Sequence, residues 1–392
     1  MKKTSIAGQA LMEGIMMRGP HKAAMAVRRA NGEIAVEEIP VKEKSPLEKI
    51  PVVRGVFGFI SSMSMGSKTL MRSAELAMED AEEDADDDVD EAELTPRQIR
   101  KRDKKREKEA KNKAKIDEKI AQLEREYKAQ AAKRREAFQR GEVTPERQAK
   151  FDAAEAKKRK KHREEVAAYR RGEGGPLMAA VMFFATGLGL ALAVILFFFL
   201  PTWTFRGLCM ILPESYVKFL TSDVIWQSVF EGIMKLVIFV VYVKLCTLMK
   251  EIRVMFSYHG AEHMSIFCYE AGDELTVENV KKYSRFHPRC GTSFLIIMMI
   301  LGIITGMFIP QDVSNMMLVR PLIKLAIIPL IMGVGYELLK LCGRYDNILT
   351  KIIAAPGLLM QRLTTYKPDD KQIECAVAAL KAVIPEDGSD QW

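Results

Sequence analysis

The 392-residue sequence lacks the cysteine spacing of a thiol redox motif, because none of its six cysteines forms a Cys-x-x-Cys pair. It also lacks a recognisable secretory signal, since Gln9 and Glu13 interrupt any apolar stretch after the opening lysine pair. We therefore expect reduced thiols and no cleaved leader.

Charge is absent from residues 177–200, an uncharged run of 24 residues. At about 1.5 Å per helical residue this run reaches roughly 36 Å, which exceeds the ~30 Å hydrocarbon core of a bilayer. A buried helix in a soluble protein is the alternative, but a run this long without one charge favours a membrane span.

Three weaker candidate spans follow at 224–249, 294–310 and 321–341. The first of them carries Glu231 and Lys235 at i and i+4, where they can pair and reduce the cost of charge in lipid. The 294–310 run is short and needs local thinning of the bilayer or long flanking side chains to cross it. Together with the uncharged run, these segments predict about four spans.

The loops differ in their content of Lys and Arg. Residues 250–293 contain six of these cations, whereas 201–223 contain two and 311–320 contain one. Because basic loops stay in the cytoplasm, we expect a multi-pass bacterial cell-membrane protein with both termini and the basic loop inside.

Residues 1–78 are predicted to form a cytoplasmic segment with local structure. The dipeptide Asn31-Gly32 lies between apolar-rich runs and predicts a small β-hairpin at 23–41. Residues 52–78 favour an interfacial helix over a span, because a span would bury Arg54 and Lys68.

Residues 79–172 form a charged insertion that cannot make a packed core: 79–93 are acidic and 96–171 are rich in Lys, Arg, Glu and Ala. High helix propensity predicts an extended helix or helical hairpin, with disorder as the alternative. Its basic excess suits a ribosome, another acidic partner or anionic lipid headgroups. A solvated linker is the simpler interpretation.

The basic loop contains three of the five histidines within a stretch of 29 residues: His259, His263 and His287. The first two are four apart and would share a helix face, and Glu262 gives the His-x-x-Glu-His order of some zinc hydrolases. His287 and Cys290 are natural third and fourth zinc ligands. A closed set of four would be structural, a set with one open position would be catalytic, and hydrogen bonding without metal stays open.

Two further polar clusters are expected on the same membrane side. Arg344 follows the last predicted span and suits a phosphate or carboxylate, and Asp346 suits a metal or a ligating histidine. Near the start of the chain, Glu13 and Arg18 lie among glycines, as in a loop that approaches a ligand. Helix capping and headgroup contact are the alternatives for the Arg344 cluster.

Several of these motifs occur together in one order: GQALMEGIMMRGP, YHGAEHMSIFCYE, HPRCGTSFL, RYDN and APGLLMQRLTT. In this the chain resembles the bacterial YqhQ family, a group of unknown function often labelled predicted metal-dependent enzymes. The resemblance covers 1–78 and 173–385, and the charged insertion departs from it. It implies functional roles for Glu13, Arg18, His259, Glu262, His263, His287, Cys290, Arg344 and Asp346.

We therefore predict a mainly α, polytopic membrane protein with an N-terminal hairpin, a membrane core at 173–366 and a cytoplasmic C-terminal segment at 367–392. The expected function is a metal-dependent hydrolase or transferase, with a divalent ion such as zinc, that acts on a lipid-linked or amphipathic substrate. A non-catalytic scaffold or assembly factor is the main alternative. A transporter is disfavoured because the polar groups gather at one side. A homo-oligomer stays open.

Overall fold

The computed structural model describes residues 3–41, 50–78, 96–140, 144–170, 176–310, 313, 318–345 and 347–390. Within this part the chain is mainly helical, with one small antiparallel sheet near its N-terminus. Residues 89–193 form a compact unit separate from the rest.

The N-terminal sheet is a meander in the order β1-β2-β3-β4. Its strands are β1 (Ala7–Leu11), β2 (Gly14–Arg18), β3 (Lys22–Arg28) and β4 (Ile34–Pro40). The predicted hairpin is the β3–β4 pair, in which Gly32 adopts a φ of +86° that an L side chain would resist. The sheet therefore contains the predicted hairpin and two further antiparallel pairs, β1–β2 and β2–β3.

Both faces of the sheet are covered. Met17 and Ala24 on one face pack in a core with helix α8 (Lys250–Ala271) and helix α13 (Asp370–Val383). Met16 and Met25 on the other face pack with Leu76 of helix α1 (Val53–Met78). Because β2 is apolar on both sides, the alternation typical of a half-exposed strand is missing there.

The separate unit contains two long charged helices, α2 (Pro96–Gln139) and α3 (Pro145–Arg170), and the apolar helix α4 (Pro176–Val194). Helices α2 and α3 contact each other through an Arg134–Glu155 ion pair at 2.5 Å and stacked Phe138 and Phe151 rings. These few contacts replace a hydrophobic core in this segment.

After α4 the chain continues through a further series of helices. A π-helical turn at Ile195–Phe199 leads into α5 (Leu200–Ile211), α6 (Glu214–Thr221) and α7 (Val224–Cys246). After α8 come α9 (Val277–Val280), α10 (Gly291–Gly306), α11 (Val319–Arg344) and α12 (Ile348–Thr364).

Two helices are long and apolar enough to cross a membrane, the continuous run Phe183–Ile211 and α11. The α7–α8 pair counts as a third only if it is one broken span, because its axes bend by 105°. Helix α10 is apolar but has 16 residues. The described residues thus contain two or three candidate spans, which is consistent with membrane association, where the sequence predicts about four.

The membrane-proximal helices enclose a buried ionic group, the ionic clamp, made by Glu231 of α7 with Arg320 and Lys324 of α11. Arg320 Nε donates to Glu231 Oε1 at 3.1 Å, Lys324 donates to Oε2, and all three side chains are at most 7% exposed. The expected Glu231–Lys235 pairing is replaced, since Lys235 Nζ lies 4.9 Å from the centroid of the Phe198 ring. The long cationic side chains from α11 reach the carboxylate and are its nearer partners.

Candidate metal centre

The middle of α8 presents His259 and His263 from one face, and their ring centroids are 4.4 Å apart. This helix turns away from α7 and packs on the sheet, apart from the two helices that are each long and apolar enough to cross a membrane. Gly260 lets the chain after α12 approach, because a Cβ there would collide with the Tyr366 carbonyl oxygen. The Tyr366 N–H donates to the Phe256 carbonyl at 2.9 Å, which holds that segment against α8.

Two backbone carbonyls orient the histidine rings. His259 Nδ1 lies 2.9 Å from the Thr364 carbonyl oxygen, and His263 Nδ1 lies 2.6 Å from the Arg285 carbonyl oxygen. A carbonyl only accepts, so each Nδ1 carries the hydrogen. Each Nε2 is then the nitrogen available to a ligand, and hydrogen bonds of this type are the usual support of metal-binding histidines.

Cys290 supplies the third donor atom. Its Sγ lies 3.1 Å from His259 Nε2, and as the N-cap of α10 it accepts from the Thr292 N–H at 3.4 Å. The loop before it is fixed by Gln361 of α12, whose side-chain amide accepts from the His287 N–H and donates to the His287 carbonyl, both at 2.7 Å. The thiol is therefore held by the ends of two helices.

His259, His263 and Cys290 form what we call the His/Cys triad, in which the three ligand atoms all lie within 4.8 Å of one another. His263 Nε2 is buried and has no hydrogen-bond partner in the described part of the chain. A buried polar atom without a partner is rare and calls for a ligand. Two imidazole nitrogens and one thiolate suit zinc, so the residues present fit such an ion.

The charges of the triad favour the thiolate form of Cys290. Burial raises the pKa of the Cys290 thiol, yet the neighbouring His259 and His263 outweigh burial and hold that pKa well below its ordinary value. Burial likewise opposes protonation of His259, but the Cys290 thiolate raises the pKa of His259 to about 9. This pairing favours the thiolate, which is the form that binds metals, and a bound cation would take the place of the proton on His259 Nε2.

Glu262 lies beside the triad, 5% exposed, and is held by the first strand. Its Oε1 accepts from the Gly8 N–H at 3.0 Å, whereas Oε2 is buried without a hydrogen-bond partner among the described residues. A Cβ at position 8 would lie 2.6 Å from the Glu262 carboxyl carbon, so a larger residue there would force the Glu262 side chain to shift. Burial raises the pKa of the Glu262 carboxyl, which suits a group that takes up and releases a proton.

His287 lies next to the triad but outside it. Its ring centroid is 5.5 Å from that of His263, and its Nε2 lies 3.1 Å from Arg289 Nη2 and 3.9 Å from Glu270 Oε2. Burial lowers the pKa of His287 to about 4, so the imidazole is neutral. Glu270 also accepts from Arg289 and from the Thr4 N–H, the latter at 2.7 Å.

The remaining predicted site residues are placed separately. Glu13, in the β1–β2 turn with a φ of +49°, accepts from the Tyr258 hydroxyl at 3.3 Å. Arg18 ends β2 and Arg344 ends α11, and no contact of either with the triad occurs in the described part of the chain. Asp346 lies outside the described residues.

An open cavity of about 980 Å³ adjoins this region. Phe267, Glu270, Pro288 and Arg289 form the wall nearest the triad, but none of the three ligand residues lines the cavity. The Phe267 ring centroid lies 4.6 Å from that of His287. Phe267 and His287 therefore lie in turn between the cavity and His263 of the triad.

Sequence reasoning missed the supports of the triad. Gly8 and Gln361 lie inside the sequence motifs named above. The sequence therefore marked their positions but did not show that they support the triad. Thr364 and Arg285 contribute only carbonyl oxygens, which every residue has, and no side-chain pattern could have identified them.

Comparison with known proteins gives the family. Residues 136–386 match the family described as "Protein of unknown function (DUF1385)", and the chain belongs to it. It is similar to the "Uncharacterized protein YqhQ" of Bacillus subtilis (strain 168), with 26% identity over 381 residues, covering 96% of this chain and 91% of that protein. The resemblance to the YqhQ family is thus confirmed. No solved structure matches the chain.

Proposed function

We propose that this chain is a membrane-associated, metal-dependent hydrolase or transferase that binds a divalent ion, preferentially zinc, through the His/Cys triad. The observation that carries the proposal is the convergence of His259 Nε2, His263 Nε2 and Cys290 Sγ within 4.8 Å. Three protein ligands are the usual number in a catalytic zinc site, where the fourth position serves water or substrate. His287, Asp346 and Arg344 are not needed for this ligand set.

Glu262 is the proposed proton-transfer residue. A zinc ion at the triad would supply Lewis acidity and lower the pKa of a water molecule. Glu262 has one carboxylate oxygen fixed by Gly8 and a second, buried oxygen without a partner in the described structure. That second oxygen can take a proton while the first keeps the carboxyl group in place.

We place this site at the cytoplasmic face of the bacterial cell membrane, with both termini on that side. The Lys and Arg excess of the 250–293 loop supports this orientation, since the loops on the other side are poor in these residues. A site beside candidate spans suits a lipid-linked or otherwise amphipathic substrate. An anionic substrate group would find Arg289 near the triad, and Arg18 and Arg344 further away.

A non-catalytic scaffold with a structural metal is the second candidate, and one observation favours it. Cys290 and His263 are 8% and 1% exposed, and neither lines the described cavity. A structural zinc ion needs no access for water or substrate, so a site buried in this way suits it. In this version the charged insertion at 79–172 would bind a ribosome or another acidic partner.

The test is elemental analysis of the purified full chain together with matched histidine variants. We expect about one zinc per chain in the wild type, none in His259→Ala/His263→Ala, and retention in His287→Ala. After cobalt substitution, the thiolate-to-cobalt absorption should vanish in Cys290→Ser. Wild-type protein without stoichiometric metal would contradict the proposal.

Glu262→Gln separates the two candidates, because the amide keeps the shape but cannot exchange a proton. In cells whose phenotype depends on the protein, an enzyme should lose function while the variant keeps its metal. Full function in this variant, with metal retained, would favour the scaffold.

A further inference from the structure

The 980 Å³ cavity has a lining that the metal site does not use. It lies between the end of α8, the loop before α10, the end of α11 and one face of α12. The α12 face repeats at helical spacing and, besides Thr350, includes Lys351, Ala354, Ala355, Leu358, Leu359 and Arg362. This face has a cation at each end, about 16 Å apart along the axis, and small or aliphatic side chains between them.

The described lining is strongly cationic. Lys3, Arg289, Lys351 and Arg362 contribute four positive charges, and Glu270 contributes one carboxylate. That carboxylate already accepts from Arg289 and from the backbone of Thr4. Arg289 Nη1 is buried and has no hydrogen-bond partner among the described residues. The lining therefore offers donors and positive charge for an anion.

The mouth of the cavity borders an apolar surface. Ile348, Ile352 and Leu359 follow one side of α12 and are 80%, 64% and 62% exposed. The same helix carries exposed Lys351 and Arg362, which is the pattern of a helix that lies in the headgroup region of a membrane. An acyl chain can therefore reach the cavity from the side.

We propose that this cavity binds an anionic amphiphile, with its phosphate-type headgroup on Lys351, Arg362 and Arg289 and its acyl chain along Leu358 and Leu359. As an assignment of substrate class the inference rests on the function proposed above, whereas the binding itself needs no metal. Phe267 and His287 connect the cavity to His263, with ring centroids 4.6 and 5.5 Å apart in turn. Two side chains would therefore separate a bound headgroup from the triad along this path.

The test uses the purified full chain in non-ionic detergent, titrated with short-chain phosphatidylglycerol and phosphatidylcholine and read by native mass spectrometry. We expect saturable binding of the anionic lipid in preference to the zwitterionic one. Lys351→Gln/Arg362→Gln should weaken it about tenfold or more. Ala355→Trp, which fills the cavity without changing charge, should also weaken it.

The matched control is Lys244→Gln/Lys250→Gln, which removes two exposed cations near the membrane that do not line the cavity. Equal weakening in this control, or no preference for the anionic lipid, would overturn the inference. Displacement of the lipid by an equal concentration of inorganic phosphate would assign the site to a free phosphate and overturn the amphiphile.

Metal content keeps this test apart from the test of function. The cavity variants should retain zinc, and His259→Ala/His263→Ala should retain lipid binding. If the wild type lacks metal but binds the lipid, the proposed function fails and the cavity assignment stands.

Discussion

The ionic clamp and the His/Cys triad are both buried and polar, but they differ in how completely their atoms are paired. In the clamp, Glu231 accepts from Arg320 and Lys324, and also from Thr202 Oγ1 at 3.0 Å and Gln227 Nε2 at 3.1 Å. At the triad, His263 Nε2 and Glu262 Oε2 are both buried without hydrogen-bond partners in the described structure.

The difference indicates what each cluster is for. A saturated network holds helices in register and has nothing left to offer a ligand. A preorganised but unsaturated cluster keeps a cost that only an added partner removes. By this criterion the clamp is structural, and the contrast supports our proposal that the triad binds a metal ion, although both consist of ionisable residues.

The largest expected effect comes from Glu231→Gln, which leaves Arg320 and Lys324 buried without their counter-charge. We expect the free energy of unfolding to fall by about 3–5 kcal/mol. Metal content should not change. Thermal unfolding in detergent measures the loss, and Glu214→Gln, whose side chain is 83% exposed, is the control and should be nearly neutral. A clamp variant as stable as this control would end the structural interpretation.

Zinc should have the next largest effect, because it supplies the partner that the triad lacks. At a free concentration 100 times its dissociation constant, zinc should stabilise the wild type by about 2.7 kcal/mol. A chelator should reverse the shift in melting temperature. His263→Ala should show no shift, whereas Glu231→Gln should keep it in full. A zinc response that survives His263→Ala would remove the contrast between the clusters.

The smallest expected effect is that of Gly8→Ala, which tests how closely the first strand packs against Glu262 beside the triad. The new Cβ would approach the Glu262 carboxyl group, and we expect a loss of about 2 kcal/mol from overpacking. Gly58→Ala is the matched control, because a Cβ there meets nothing within 4 Å. The control should be neutral or slightly stabilising. Equal stability of the two variants would show that the wall around Glu262 yields easily.

Local spacing predicted part of this structure, and contacts across long sequence separations account for the rest. The i, i+4 histidines and the Asn31-Gly32 hairpin were readable because each depends on neighbouring residues. The β1–β2 hairpin was missed, since its turn contains Glu13 in a left-handed conformation that gives no turn signal. Glu231 was paired with Lys235 by the same local rule, but its cationic partners, Arg320 and Lys324, come from another helix.

The ligand set shows the same limit. His287 and Cys290 were predicted together because they are three residues apart, yet only Cys290 joins the triad. The carbonyl that orients His259 is 105 residues away. Which side chains meet at a point depends on packing that no short motif encodes.

Helix α12 fixes the spacing between three contacts that it makes with the region around the triad. Gly357 lies against Ser293, Gln361 spans the main chain of His287, and the Thr364 carbonyl meets His259. These positions, at i, i+4 and i+7, share one helix face, and inserting one residue between them would rotate the later ones by about 100°. The number of residues between Gly357 and Thr364 is therefore fixed by these contacts with Ser293, His287 and His259.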